Sequence, residues 1–333
     1  MPRQSLLLVM AMCLVGGWTA QAQDRLRNLV YDPASKDWIE QAPPLPGTPE
    51  GQLYEIRVLI KDGSPRRAFS RLDDFVAQHG VDHPLYAETL ILRAQALVAR
   101  EEFEKAHEIL QMFLAEFRGM ELTGDALRLE FVVAEAFLAG AKRRFLRVFK
   151  IKDVDFGYRI LDEIATDYPD SPLAELALKR KGDHLARVGD HDLAELEYAR
   201  MLREYPQSRY YRYALSRTAE SALASFGGIE FDEAALIEAE ERYRDYLAQY
   251  PAAAAGEGIG LILDSIRESR AEKDFRIGEY YERTEHVGSA VFYYRLVRQN
   301  YPDSIAASKA RERLELLGAA DPIALAKSNP AID

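Results

Sequence analysis

The chain has 333 residues, with 43 Lys and Arg against 54 Asp and Glu and a formal charge of −11. This balance argues against general nucleic-acid binding, which draws most of its affinity from phosphate neutralisation. The length exceeds one simple core, so two domains or a repeat array are expected, and a single cysteine excludes a disulfide framework.

Arg3, the apolar run Ser5–Trp18 and the small-x-small segment Ala20-Gln21-Ala22 read as a cleaved secretory signal over residues 1–22. The apolar run is shorter than the roughly 18–20 residues a bilayer span needs. Cys13 suggests lipidation, but such signals want Leu three residues earlier and a small residue just before. Met10 and Met12 occupy those places, so a lipid anchor at Cys13 is not expected. Cleavage removes Arg3, takes the formal charge from −11 to −12 and leaves no cysteine. An exported protein, periplasmic or at the periplasmic face of an outer membrane, is the expectation.

Residues 23–48 read as an extended lead-in, since Pro43, Pro44, Pro46 and Pro49 rule out a continuous helix. From 49 to 318 Ala, Leu, Glu and Arg dominate and strand-like alternation is scarce, which predicts helix. "LAELEYARMLREY" predicts one apolar stripe from Leu193, Leu196, Ala199, Met201 and Leu202. Residues 319–333 have no stripe long enough to pack and are expected to be a disordered tail.

One phrase recurs along the helical stretch: "DYPDSPLAE" at 167–175, "EYPQSRYYR" at 204–212, "NYPDSIAAS" at 300–308 and a worn "QYPAAAAGE" at 249–257. Proline disfavours helical geometry in the residue before it, so each helix should end near the tyrosine. Ser171, Ser208 and Ser304, two residues on, can cap the next helix, and Pro172 suits its first position. Thr48-Pro49 and Ser64-Pro65 carry the same start signal. "QYPAAAAGE" lacks the serine and is the expected place for a bend.

The corners keep register with a second mark. Ala194, Ala239 and Ala290 each precede a corner proline by twelve residues and a tyrosine by four; Gly182 and Gly278 lie twelve before Ala194 and Ala290. A small residue at one fixed depth lets paired helices approach, and an aromatic one turn later fills the gap. This is tetratricopeptide-repeat spacing. The steps Ala68, Ala106, Ala194, Ala239 and Ala290 leave a gap of 88 that holds one divergent unit ending at Pro169. The predicted fold is all-α, a solenoid of about six helical hairpins with a C-terminal capping helix.

These features together resemble the outer-membrane protein assembly factor BamD family. The segment 280–318 carries Tyr280-Tyr281, Ala290, Tyr294, Val297, Tyr301-Pro302-Asp303-Ser304, Arg313-Leu314 and Leu317-Gly318, and 189–208 is a second similar stretch. The resemblance covers 170–318 well and 51–169 loosely. It implies a periplasmic repeat array that binds unfolded barrel segments and the assembly machinery. The chain is longer than such members, and the surplus is expected as extra helix in the third, fifth and sixth repeats. The same corner occurs in envelope adaptors that coordinate cell-wall growth, so an adaptor for peptidoglycan or secretion machinery stays open. A solute- or polysaccharide-binding protein or a hydrolase is the reading from another class.

A helical array presents the concave face of its first helices to partners. The residues predicted there are Lys179, Asp183 and Arg187, and in the last repeat Phe275, Glu279, Glu282 and Arg283. "AKRRFLRVFKIK" (141–152) places Lys142, Arg143, Arg144, Arg147, Lys150 and Lys152 among apolar residues; such a stretch can meet anionic headgroups or an acidic partner, or form the basic outer face of a long repeat helix. Tyr210, Tyr211 and Tyr213 read as packing between repeats or as interface anchors. "GEGIG" (256–260) follows a helix end and lacks Lys-Ser/Thr, so it reads as a joint. The six histidines show no HExxH spacing, and acidic pairs on helices are normally solvated. No catalytic, cofactor-binding or metal-binding residue is assigned, and no enzyme activity is expected.

Overall fold

The computed structural model describes residues 29–32, 37–40, 43–145, 149–229 and 232–319. The signal segment, Cys13, Arg147 and the tail beyond 319 lie outside the described residues. The chain divides into two compact units between Arg100 and Glu101.

The first unit opens with an antiparallel ribbon, β1 (Leu29–Asp32) and β2 (Asp37–Glu40). Helices α1 (Pro49–Lys61), α2 (Pro65–His79) and α3 (Tyr86–Ala99) follow. Thr48 caps α1 by accepting from the Gly51 N–H at 3.1 Å, with Pro49 in the first turn. Leu53, Ile56, Ala68, Leu72, Phe75 and Leu92 form its core.

The second unit contains α4 (Phe103–Glu116), α5 (Thr123–Leu138), ribbon β3 (Lys142–Phe145) and β4 (Phe149–Lys152), α6 (Val154–Asp167), α7 (Pro172–Val188), α8 (His191–Glu204), α9 (Tyr211–Ala224), α10 (Ala234–Gln249), α11 (Pro251–Gly256), α12 (Ile259–Arg283), α13 (Val287–Asn300) and α14 (Ile305–Leu316). Each helix packs on its neighbour in sequence, so α5–α6, α7–α8, α9–α10 and α12–α13 are hairpins and α14 closes the array. The tetratricopeptide class is that of the structure.

The corners work as their chemistry requires. Tyr168, Tyr205, Tyr250 and Tyr301 are all helix C-caps with φ between −127° and −133° and ψ between 54° and 61°, outside the helical region because proline follows. Ser171 caps α7 through the Leu173 N–H at 3.2 Å, and Ser304 caps α14 through the Ala307 N–H at 2.9 Å. Ser208 instead accepts from the Tyr210 N–H at 2.9 Å, within the turn that precedes α9. Tyr205 donates to the Pro169 carbonyl at 3.2 Å, which ties one corner to the one before it. The start of α14 gains a second cap from a distant helix: Glu268 of α12 accepts from the Ile305 and Ala306 N–H groups at 2.9 and 3.1 Å.

The glycine–tyrosine register sets how closely the hairpin helices approach. A Cβ on Gly182 would lie 2.8 Å from Tyr198 Cε1, and one on Gly278 would lie 2.6 Å from Tyr294 Cε1. Both rings are fully buried and cannot retreat. Gly278→Ala is therefore expected to cost about 1–3 kcal/mol by overpacking, read as a lower urea midpoint.

Two expectations change. On α8 the packed stripe is Ala194, Tyr198 and Met201, while Leu193 and Leu196 are exposed, because Tyr198 must meet Gly182 and this choice fixes the rotation of the helix. The surplus length of the third repeat is the β3–β4 ribbon rather than extra helix. At "QYPAAAAGE", Pro251 starts the short α11 without a serine, and Gly258 at φ +70° makes the joint to α12.

Candidate interaction groove

On α7, Lys179 and Asp183 stand one turn apart and face α8 and α9. Asp183 accepts from Lys179 Nζ at 2.7 Å, from Tyr198 OH at 2.8 Å and from Tyr213 OH at 2.6 Å. Lys179 Nζ lies 4.1 Å from the centre of the Tyr213 ring. Burial pushes the Asp183 carboxyl upward, but bonds from Lys179, Tyr213 and Tyr198 outweigh it and hold the group below its usual range. Burial pushes the Tyr198 and Tyr213 phenols upward, so both keep the protons they donate. Lys179 and Asp183 thus join three helices, while Arg187, one turn further along α7, is exposed.

Beyond this staple a cleft of about 360 Å³ opens between α9, α10 and the start of α12. Arg209, Arg212, Tyr213, Arg217, Tyr246 and Glu257 contribute to its walls. Tyr246 OH donates to Glu257 at 2.8 Å, and Arg212 lies 3.5 Å from the same carboxylate while staying half exposed. Arg217 pairs with Glu220 and lies 5.8 Å from the ring centres of Tyr198 and Tyr213. Arginine and tyrosine are the side chains that anchor protein interfaces. Arg209 and Arg212 stand in "RYYRYALSR" beside tyrosines whose spacing signals packing, and Tyr211 does pack against the core.

In the last repeat the predicted set splits across two faces of α12. Phe275 is buried against Tyr294 at 5.3 Å between ring centres, and Glu282 accepts from Tyr294 OH at 2.7 Å and from Arg313 Nε at 3.0 Å. Both belong to the packed side, because positions 275, 278 and 282 follow helical spacing through Gly278. Burial pushes the Glu282 carboxyl up, and the bonds from Arg313 and Tyr294 more than reverse that. Glu279 and Arg283 are exposed and line a separate cleft of about 800 Å³ with Lys273, Arg276 and Tyr280. Phe275 and Glu282 are thus engaged in the packing of α12 on α13 and α14.

The basic stretch forms an antiparallel ribbon and not the long repeat helix that was its alternative reading, with Lys142 opposite Lys152, Arg143 opposite Ile151, Arg144 opposite Lys150 and Phe145 opposite Phe149. Arg143 pairs with Asp153 at 3.1 Å and lies 4.9 Å from the centre of the Phe156 ring, which holds the ribbon's base to α6. Lys142 and Lys152 are exposed.

Two buried carboxylates carry no local signal in the sequence. Glu130, 1% exposed, lies 2.8 Å from His107 Nδ1 and accepts from Gln111 Nε2 at 3.0 Å. Burial would lower the His107 pKa, yet Glu130 beside it raises it overall; burial also raises Glu130. Glu240, also buried, pairs with Arg244 and Arg270. Acidic residues on helices look solvated until a neighbouring helix covers them. Among the described residues no group of three or more His, Cys, Asp or Glu side chains could hold a metal ion, and no helix is long and apolar enough to cross a membrane.

The successive packed helical hairpins are those of a tetratricopeptide protein-interaction scaffold. The chain belongs to the YfiO family of outer membrane lipoproteins, whose model matches residues 148–321. Among solved structures, a tetratricopeptide repeat protein from Parabacteroides merdae is 10% identical, with 81% of this chain and 98% of that one covered and a TM-score of 0.37. The type IV pilus biogenesis factor PilW is 15% identical, with 78% and 97% covered and a TM-score of 0.30. A search of curated proteins returns no significant match.

Proposed function

We propose that this protein is an exported, non-enzymatic scaffold at the periplasmic face of the outer membrane, where it helps assemble β-barrel proteins. The reading is carried by the family match over 148–321, which includes α6 through α14 and with them the whole arginine–tyrosine cleft. In this reading the cleft holds a segment of an unfolded client or of the assembly machine, with Arg209 and Arg212 as charged anchors and Tyr213 and Tyr246 as the aromatic wall. The staple at Asp183 keeps α7, α8 and α9 in fixed relation, so the partner meets a preformed surface.

The test is affinity purification of the tagged mature protein from crosslinked envelopes. A large β-barrel assembly protein should be recovered, and Arg209→Glu with Arg212→Glu should reduce that recovery roughly tenfold, since hot-spot side chains carry most of an interface's energy. Recovery confined to peptidoglycan enzymes would overturn the assembly role and favour a cell-wall adaptor.

A further inference from the structure

The ribbon between α5 and α6 occupies a place where the α7–α8 and α12–α13 hairpins have only a short turn. Residues 141–152 hold six Lys and Arg and no Asp or Glu. Against a whole-chain charge of −11 this stretch carries +6, so the remainder carries −17. The register sorts these charges. In an antiparallel pair, directly opposed residues share a face and successive residues alternate. Positions 142, 144, 150 and 152 therefore share one face, and all four are Lys or Arg. Positions 143, 145, 149 and 151 share the other, and three of them are Phe or Ile.

Arg143 is engaged by Asp153 and the Phe156 ring. Opposite it Ile151 is 44% exposed, and Phe149 further out is 63% exposed. Among the described residues the ribbon has two strands and pairs with no third. Exposed Phe and Ile beside a cationic face, on an otherwise acidic molecule, suit a surface that is anionic and has an apolar layer just beneath its charges. Such a surface attracts Lys and Arg while repelling the remaining −17, which would orient the molecule ribbon-first. An acidic protein satisfies the charge but offers no reason for the two exposed apolar side chains.

We infer that the β3–β4 ribbon docks this protein on anionic phospholipid headgroups, with Lys142 and Lys152 among its contacts and Phe149 and Ile151 entering the interfacial layer. This goes beyond the assembly role and does not depend on it, since purified protein and vesicles suffice to test it. The mature protein should co-sediment with phosphatidylglycerol-containing vesicles and not with phosphatidylcholine vesicles, and high salt should release it. Lys142→Gln with Lys152→Gln should weaken partition roughly twentyfold, from the attraction of two cations near an anionic surface. Phe149→Ser with Ile151→Ser should also reduce binding. All four side chains are exposed, so both variants should keep the wild-type circular dichroism and urea midpoint. Absence of wild-type binding to phosphatidylglycerol vesicles would overturn the assignment, as would full binding by the lysine variant. Loss of an acidic protein from crosslinked recoveries of the lysine variant, with no vesicle binding by the wild type, would assign the ribbon to a protein partner instead.

Discussion

Tyr198→Ala is expected to lower the stability of the second unit by about 3–5 kcal/mol, the range for removing a buried aromatic ring from a core that cannot collapse around the gap. The ring is fully buried and fills the space over Gly182. Its hydroxyl donates to Asp183 at 2.8 Å and accepts from Arg217 Nε at 3.4 Å, so the alanine removes packing and a polar link together. Tyr198→Phe separates the two effects. It keeps the ring against Gly182 and loses only the hydroxyl, at about 1 kcal/mol. Urea denaturation followed by far-ultraviolet circular dichroism reads both. A phenylalanine variant as unstable as the alanine variant would show that the hydroxyl network, and not the packing, sets the spacing of these helices.

Asp183→Ala is expected to cost about 2–3 kcal/mol, because it removes the shared acceptor of Lys179, Tyr198 and Tyr213 and leaves those donors part-buried. The pH dependence has a defined sign. The folded carboxyl lies below its usual range, so its ionised form is the one that folding favours. Its contribution is fully present above the unfolded carboxylate pKa of about 4 and is lost as pH falls through the lower folded value. The difference in stability between the wild type and Asp183→Asn should therefore be constant from about pH 6 to 8 and shrink on acidification below about pH 4. A difference that grows on acidification would contradict this reading.

Tyr198 and Tyr294 show that one packing problem has two polar solutions. Both rings lie over a glycine, and both hydroxyls need an acceptor once buried. In the α7–α8 hairpin the acceptor is Asp183, one residue after Gly182, and in α12–α13 it is Glu282, four after Gly278. The longer glutamate one turn along reaches the same place. The apolar repeat pattern recurs while the acid does not, so Glu282 reads from the sequence as a groove residue and Asp183 reads the same way.

What the sequence determined by itself were the features that act over a few residues. Proline forces the preceding tyrosine out of helical geometry, serine and threonine cap adjacent N–H groups, and Gly182 and Gly278 hold a fixed offset from their tyrosines. The ribbon was half legible: "FKIK" alternates with period two, but "KRRF" does not and helical repeats lie on both sides. Only the tertiary structure decided which face of each helix is covered. Leu193 and Leu196 are as apolar as a core demands and still meet water, while the carboxylates of Glu130 and Glu240 are buried against partners that sit 23 and 30 residues away at His107 and Arg270. The physical reason is range. Backbone restriction and capping act between neighbours in the chain, whereas burial depends on which distant side chain arrives to complete the packing and the hydrogen bonds.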